Sequence, residues 1–244
     1  YLLEYLDAPN PQCTLVFCTD AALGKTGALN KKLQECATLV EFAPLKGKVM
    51  ESWIAQGLHG NMSYLERNRD KRYDPSQLVP DAKTVIVCLL HFDKSGRDYH
   101  RTVKSLLYKL EARLQVEFGS EIISQTHQHI FCDSAPILER RWCVEAGLGF
   151  IGKNHQLIHP TLGSMVHPGE VLINLPIMLD TNPLLLNKDT GKIPNGCADC
   201  RRCLDACPTG ALRVDIWDAT QCIAYTTHHC LECQLVCPYN ITPN

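Results

Sequence analysis

Cysteines dominate the C-terminal part of this 244-residue chain, and their spacing suits one kind of chemistry. Eight of the fourteen cysteines lie between Cys197 and Cys237. The first four follow the pattern C-x2-C-x2-C-x3-C, and Pro208 comes directly after the last of them. Bacterial ferredoxins use this spacing, with three thiolates on one 4Fe-4S cluster and the fourth thiolate on a second cluster. The run therefore predicts iron–sulfur clusters, which carry electrons one at a time.

A second cysteine run supplies the remaining ligands for two clusters. It has the same C-x2-C-x3-C-P ending, and seven residues separate its first cysteine from the next one. Ferredoxins exchange the fourth cysteine between their two runs, and the same exchange here gives two sets of four ligands. The first set is Cys197, Cys200, Cys203 and Cys237, and the second set is Cys207, Cys222, Cys230 and Cys233.

Two other uses of so many cysteines fit the spacing less well. Structural zinc sites also take four cysteines, but they usually have two well-separated C-x2-C arms and no C-P ending. A disulfide framework is typical of short secreted chains, whereas this cysteine-dense tail follows an ordinary globular segment. The pattern therefore favours metal ligation in a reducing compartment, and we expect a cytoplasmic protein.

Alternating strand and helix patterns precede the cysteines and predict an α/β (α+β) body that positions them. Asp133 or Ser134 is placed to cap a helix that Gly147 ends. The predicted strands are 83–92, 128–132, 156–159 and 170–175, and the predicted helices are 102–118 and 134–146. The chain divides into a segment of uncertain origin (1–48), an α/β domain (49–189) that includes a linker beginning near residue 180, and a ferredoxin-like two-cluster module (190–244).

Composition excludes several broad classes of protein. Hydrophobic residues make up 45% of the chain and charged residues 20%, which is a globular balance. The net charge of −2 gives no overall basic field for nucleic acid, and no apolar run reaches the roughly 18 residues of a membrane span. The letters G-x-G-x-x-G occur at 147–152, but they follow a predicted helix. A dinucleotide site needs a preceding strand, so we expect a tight loop with a close backbone approach.

Several further sequence blocks are distinctive. They are W-I-A-Q-G-L-H-G-N-M-S-Y-L-E-R at 53–67, D-S-A-P-I-L-E-R at 133–140 and A-G-L-G-F-I-G-K-N at 146–154. Together with the cysteine runs, these blocks resemble the epoxyqueuosine reductase family of iron–sulfur and cobalamin enzymes. The resemblance extends over residues 53–240.

The resemblance implies a function and its partners. Electrons would pass from a donor such as flavodoxin or ferredoxin through two 4Fe-4S clusters to a cobalamin between the two modules. Epoxyqueuosine at the wobble position of tRNA would be reduced to queuosine, and water would leave. The family assigns the protonation of the leaving oxygen to the aspartate that corresponds to Asp133. A carboxyl in a partly apolar site has a raised pKa and can deliver a proton near neutral pH.

The same resemblance implies cofactor contacts outside the cysteines. Arg67, Lys153, Asn154 and Ser164 match cobalamin-facing positions, together with Asp133. The Arg67 guanidinium could bind a side-chain amide or the phosphate of the cofactor tail. Two arginine-rich stretches are candidates for contacts with tRNA phosphates: Arg67, Arg69, Lys71 and Arg72, and then Arg201 and Arg202.

Other interpretations of the residues stay open at this stage. A reductive dehalogenase-like corrinoid enzyme would share the architecture and take an organohalide. A ferredoxin-like electron-transfer protein would use the body only to dock partners and would bind no cobalamin. A relative that keeps the clusters but has lost substrate binding is a further possibility. Residues 9–18 and 39–48 weakly resemble a clamp-loader delta subunit, which sets residues 1–48 apart.

Overall fold

The structure is a computed structural model that describes residues 13–19, 39–41, 48–91, 98–123, 128–175, 196–227 and 230–240. Only the backbone is described for 13–19, 39–41 and 48–49. The linker predicted to begin near residue 180 lies outside the described residues. The same holds for most of the two stretches that resemble a clamp-loader subunit.

A five-stranded sheet forms the centre of the described body. Its order is β2-β1-β3-β7-β4; β1 and β2 are parallel, and the other neighbours are antiparallel. A separate two-stranded sheet pairs β5 with β6. In chain order the strands are β1 (Cys13–Thr19), β2 (Leu39–Glu41), β3 (Thr84–His91), β4 (Ile130–Phe131), β5 (Phe150–Ile151), β6 (Leu157–Ile158) and β7 (Val166–Ile173).

The first two strands come from the segment that the sequence set apart as residues 1–48. Strand β1 pairs with β3 along its whole length, from Cys13 opposite Leu90 to Thr19 opposite Thr84. A seven-residue antiparallel pairing satisfies backbone groups of both strands. The described part of the N-terminal segment thus extends the same sheet that carries β3 and β7.

The described helices are α1 (Lys48–Ala55), α2 (Arg69–Tyr73), α3 (Tyr99–Phe118), α4 (Glu139–Glu145), α5 (Arg202–Asp205), α6 (Ile223–Thr227) and α7 (Glu232–Leu235). Of these, α3 and α4 pack against opposite faces of the sheet. Side chains alternate across a strand, so β3 presents Ile86 to one face and Val85 to the other. Ile86 packs in the cluster that includes Leu107 of α3, and Val85 packs with Trp142 of α4. The predicted buried strand is confirmed, because residues 85–87 have no exposed surface.

Helix α4 begins later than the sequence predicted. The prediction started it at Ser134, but residues 134–138 are not helical and Glu139 is the first residue of α4. Pro136 explains the difference, because a proline disfavours helical backbone at the residue before it. Asp133 does not cap the helix; it occupies the left-handed region with φ of 51°.

Two other elements begin earlier than the sequence predicted. Helix α3 begins at Tyr99, three residues earlier than predicted, because the Asp98 side chain accepts a hydrogen bond from the backbone N–H of His100. Asp98 is therefore an N-cap. Strand β7 begins at Val166, before the predicted start at residue 170, and it pairs with β3 along eight residues.

The loop at 147–152 makes the close backbone approach that its glycines predicted. Gly147 ends α4 with φ of 72°. A Cβ atom on Gly149 would collide with the backbone carbonyl of Ile158 in β6. The absence of a side chain thus lets the loop pack directly against the strand.

A bilayer-spanning segment was not expected from the sequence. Among the described residues, none of the helices combines the length and apolarity that a bilayer crossing requires.

Candidate active site and cysteine module

A large cavity lies between the body and the cysteine-rich module. Its volume is about 1420 Å³, compared with about 300–1000 Å³ for most small-molecule sites. Four parts of the chain contribute to its lining: residues 50–73, the stretch from Asp133 to Arg141, the pair Ile151 and His155, and residues 215–217 of the module. The cavity therefore has room for a large cofactor together with part of a substrate.

Asp133 lines this cavity from the loop after β4. The hydroxyl of Tyr99 donates a hydrogen bond of 2.9 Å to Oδ2 of Asp133, and Nε2 of His100 lies 3.9 Å from the same oxygen. The Asp133 side chain is 67% exposed. Asp133 therefore lacks the partly apolar surroundings that the sequence predicted. It precedes α4 and lies on an exposed loop.

Two carboxyl groups lie behind Asp133, one partly buried and one fully buried. Glu139 lines the cavity, and its Oε1 accepts a hydrogen bond from the backbone N–H of Asp133. Burial raises the pKa of Glu139 to about 7; the negative charge of Asp133 adds to the rise, and the hydrogen bond opposes it. Glu170 of β7 is fully buried, and burial, with the charges of Glu139 and Asp133, raises its pKa well above the usual range. The apolar environment surrounds these two carboxyls rather than Asp133.

Four arginines line the same cavity: Arg67, Arg72, Arg140 and Arg141. Arg67 is exposed, in agreement with a role in binding something external. Arg72 is only 5% exposed; it donates a 2.9 Å hydrogen bond to the carbonyl oxygen of Tyr64, and its guanidinium stacks over the Tyr64 ring. The predicted phosphate contact by Arg72 does not fit this burial. Arg69 instead pairs with Glu51 at 2.7 Å.

Two tryptophans connect the N-terminal wall of the cavity to the module. The rings of Trp53 and Trp217 are stacked, with centroids 5.6 Å apart and planes 14° from parallel. Trp53 Nε1 also donates a hydrogen bond of 2.5 Å to the carbonyl oxygen of Trp217. Both residues line the cavity, so its width at this end depends on the contact between them.

The first predicted set of cysteines surrounds one small cavity. Cys197, Cys200, Cys203 and Cys237 all line it. The fourth member comes from the second cysteine run, as the exchange of ligands in ferredoxins predicted. The donor set is thus four thiols around one space, which suits a cluster with one cysteine on each iron.

The second set is also gathered in space. Burial raises the pKa of the Cys233 thiol to about 12, and neighbouring thiols raise it further; these belong to Cys203, Cys222, Cys230 and Cys207. Three of these four neighbours complete the second predicted set, and Cys203 lies between the two sets. In the described part of the chain, no group of three or more His, Cys, Asp or Glu side chains is arranged so that it could hold a single metal ion. Ligands of a 4Fe-4S cluster bind separate irons and do not meet at one point.

Lys153, Asn154 and Ser164 lie away from the large cavity. Lys153 Nζ donates hydrogen bonds to the carbonyl oxygens of Ala198, at 2.5 Å, and Cys200, at 3.1 Å. Asn154 and Lys153 line the small cavity of the first cysteine set. The hydroxyl and carbonyl oxygens of Ser164 accept hydrogen bonds from Asn240 Nδ2 and Gln234 Nε2, each at 2.8 Å. Lys153 and Ser164 thus join the body to the module.

Sequence reasoning did not single out Tyr99, Glu139 or Glu170. Glu139 lies within the block at 133–140 that carried the family resemblance, but neither Glu139 nor Tyr99 had an individual signal. Glu170 did have a signal in the sequence. It is a charged residue directly before the apolar residues 171–173, in the part of β7 that is buried on both faces. Charged side chains are rarely fully buried without a partner, so this position pointed to a special environment.

Comparisons with known proteins agree with this geometry. The chain matches no protein-family model. It is 34% identical to the epoxyqueuosine reductase of Cyclobacterium marinum over 85% of this chain and 73% of that protein. The corresponding protein of Leadbetterella byssophila is also 34% identical, over 78% of this chain and 70% of the relative.

A solved structure shares the fold. It is a crystal structure of epoxyqueuosine reductase with an epoxyqueuosine-modified tRNA-Tyr stem loop, with a TM-score of 0.70 and 23% identity. The match covers 98% of this chain and 64% of the other chain.

The cavity beside a cysteine module and the named relatives define the class of protein as an oxidoreductase. Within that class, the chain belongs to the epoxyqueuosine reductase family.

Proposed function

We propose that this protein reduces epoxyqueuosine to queuosine in tRNA, with electrons that pass through two 4Fe-4S clusters to a cobalamin. The observation that carries the proposal is the large cavity, which has Asp133 and Arg67 on one side and residues of the cysteine module on the other. A redox reaction on a bulky nucleoside needs such a space next to an electron supply. The substrate named for the stem-loop complex supports the same assignment.

The chain's own residues would hold each cofactor. The two cysteine sets would bind the clusters, and Arg67 and Asp133 would face cobalamin in the large cavity. Lys153 and Ser164 would fix the body against the module, and Asn154 would lie next to the first cluster. When bound, the clusters supply single electrons and the cobalamin supplies the reducing cobalt centre for opening of the epoxide.

Asp133 would donate a proton to the oxygen that leaves. Its position on an open corner of the cavity lets it reach a bound nucleoside, and Tyr99 orients its carboxyl group through the hydrogen bond to Oδ2. A positioned acid of this kind typically contributes about 10²–10⁴-fold to a rate. The exposed arginines on the cavity wall and in the module would contact tRNA phosphates, and a flavodoxin or ferredoxin would be the electron donor.

Anaerobic reconstitution tests this proposal. The protein is loaded with iron, sulfide and cobalamin, and iron and cobalt are measured together with the visible spectrum. An anticodon stem loop that carries epoxyqueuosine is then added with a chemical reductant, and its nucleosides are analysed by mass spectrometry. We expect bound cobalt and conversion to queuosine. Protein that holds both clusters and cobalamin but leaves the epoxide intact would contradict the proposal.

A further inference from the structure

We propose that Glu139, backed by the buried Glu170, is a second proton donor to the substrate in the large cavity. This inference rests on the proposed function, because it concerns the protons of that reaction. It assigns a role to two carboxyl groups that the action of Asp133 alone leaves unexplained.

The proposed reaction consumes two protons. When an epoxide loses its oxygen, both C–O bonds break, a C=C bond forms and water leaves. The balance requires two electrons, from an external one-electron donor protein or a chemical reductant, and two protons. Asp133 can supply one of these protons before it must be protonated again. A second acid on the same cavity would supply the other.

Glu139 has the position that a second acid needs. It is the first residue of α4, next to the proline-containing loop, and it lines the same cavity as Asp133. Its Oε1 accepts a hydrogen bond from the backbone N–H of Asp133, which fixes the side chain beside the first acid. The other carboxyl oxygen is left to carry and donate a proton.

Glu170 is the independent observation behind this proposal. It is 0% exposed on β7, and neither of its carboxyl oxygens has a hydrogen-bond partner among the described residues. A buried carboxylate without a partner is strongly disfavoured, so this group is neutral or shares a proton with a neighbour. Its charged neighbours are Glu139 and Asp133. Like charges at such a site cannot all ionise together, and the pair therefore retains a proton near neutral pH.

The other titratable groups around Glu139 do not offset the rise in its pKa. The only nearby cation with a described effect on its pKa is Arg140 on the same helix, and this effect is weaker than burial. Arg140 also donates a 2.7 Å hydrogen bond from Nη1 to the carbonyl oxygen of His155. Tyr99 of α3 and Cys132, the residue after β4, both have raised pKa values, so they are neutral near pH 7.

The pH profile of stem-loop reduction by the reconstituted holoenzyme tests this role. Wild-type turnover should fall above about pH 7, where Glu139 loses its proton. Glu139→Gln should lower turnover by about 10²-fold at neutral pH and remove that fall. Glu170→Gln removes the carboxyl that shares the retained proton with Glu139 and should move the fall to lower pH. Glu117→Gln, an exposed carboxyl change on α3, is the control and should keep the wild-type profile.

Infrared spectroscopy provides a measurement that does not depend on turnover. A protonated carboxylic acid has its own C=O absorption, which should persist to about pH 7 in wild-type protein and weaken in Glu139→Gln. If the wild type reduces no epoxide but shows this band, and the band weakens in Glu139→Gln, the proposed function fails and the assignment of a protonated Glu139 survives. If the wild type is active and Glu139→Gln keeps its pH profile and its band, the inference about Glu139 is wrong.

Discussion

The Tyr99 hydroxyl donates a 2.9 Å hydrogen bond to Oδ2 of Asp133, and this contact joins the start of α3 to the wall of the large cavity. The Tyr99 ring is itself held by stacking on His167 of β7, with centroids 3.8 Å apart and planes 8° from parallel. Asp133 is on an exposed loop corner with little packing of its own. Its orientation thus depends on a residue that the sheet fixes.

Replacement of Tyr99 by Phe should remove this orientation and preserve the stacking. A hydrogen bond to a charged group contributes about 1.5–3 kcal/mol, so we expect kcat to fall by at least about tenfold. The melting temperature should change little, because Asp133 is exposed. Steady-state kinetics with the modified stem loop, together with thermal melting, measure both quantities. A lowered affinity with unchanged kcat would mean that Tyr99 serves binding rather than the orientation of Asp133.

The exchange of cysteines between the two runs predicts which variants lose the same cluster. Anaerobic wild-type protein should contain roughly eight irons. Cys237→Ser and Cys203→Ser should each remove the first cluster and leave the same electron paramagnetic resonance signal, because both residues line one cavity. Cys230→Ser should remove the second cluster and leave the signal of the first cluster. Cys88→Ser, on β3, is the control and should retain all the iron. Matching signals from Cys237→Ser and Cys230→Ser would contradict the exchange.

Glu139 should make the protein less stable as the pH rises. Its pKa increases from an ordinary value of about 4.3 in the unfolded chain to about 7 in the folded protein. Between these values the unfolded chain loses the proton first, so the free energy of unfolding decreases with rising pH. Glu139→Gln should therefore show a smaller drop in melting temperature from pH 5 to pH 8. Glu117→Gln should keep the wild-type drop, and an equal drop in Glu139→Gln would exclude the raised pKa.

Two exposed arginines next to the first cysteine set should contribute to RNA affinity. Arg201 pairs with Asp205 only at 3.6 Å on the surface, so its loss should not disturb the fold. Replacement of Arg201 and Arg202 by Ala should flatten the salt dependence of stem-loop binding by about one to two units, one for each lost phosphate contact. The control replaces Lys109 and Arg113 on α3, which removes the same charge. An equal effect of both pairs would show that net charge alone is responsible.

Local sequence patterns predicted the parts of this fold that local forces determine. The apolar β-branched run marked β3, and the spacing of leucines marked most of α3. The spacing of the cysteines predicted that Cys237 groups with the first run. Lys153 and Asn154, which line the same small cavity, belong to the block at 146–154. The apolar pattern does not show the start of α4, because Pro136 disfavours helical backbone at Ala135.

Long-range pairing could not be read from the sequence. The pairing of β1 with β3 joins residues about seventy positions apart, and no local pattern specifies it. The burial of Glu139 and Glu170 depends on which elements pack around them, so their raised pKa values were visible only in the structure. The same reason applies to Asp133, whose exposed position contradicted the expectation of an apolar site.

The most direct test of the central claim compares wild-type protein with Asp133→Asn on the epoxyqueuosine stem loop. Both proteins are loaded with clusters and cobalamin, and queuosine formation is followed by nucleoside mass spectrometry. Asn keeps the size of the side chain and can still accept the Tyr99 hydrogen bond, but it cannot donate a carboxylic proton. Asp81→Asn, at an exposed position with φ of 64° that Asn tolerates, is the matched control. We predict queuosine from the wild type and the control, and a rate about 10²–10⁴-fold lower for Asp133→Asn with both cofactors retained. Wild-type protein that carries both cofactors and forms no queuosine, or an Asp133→Asn variant as fast as the wild type, would contradict the account.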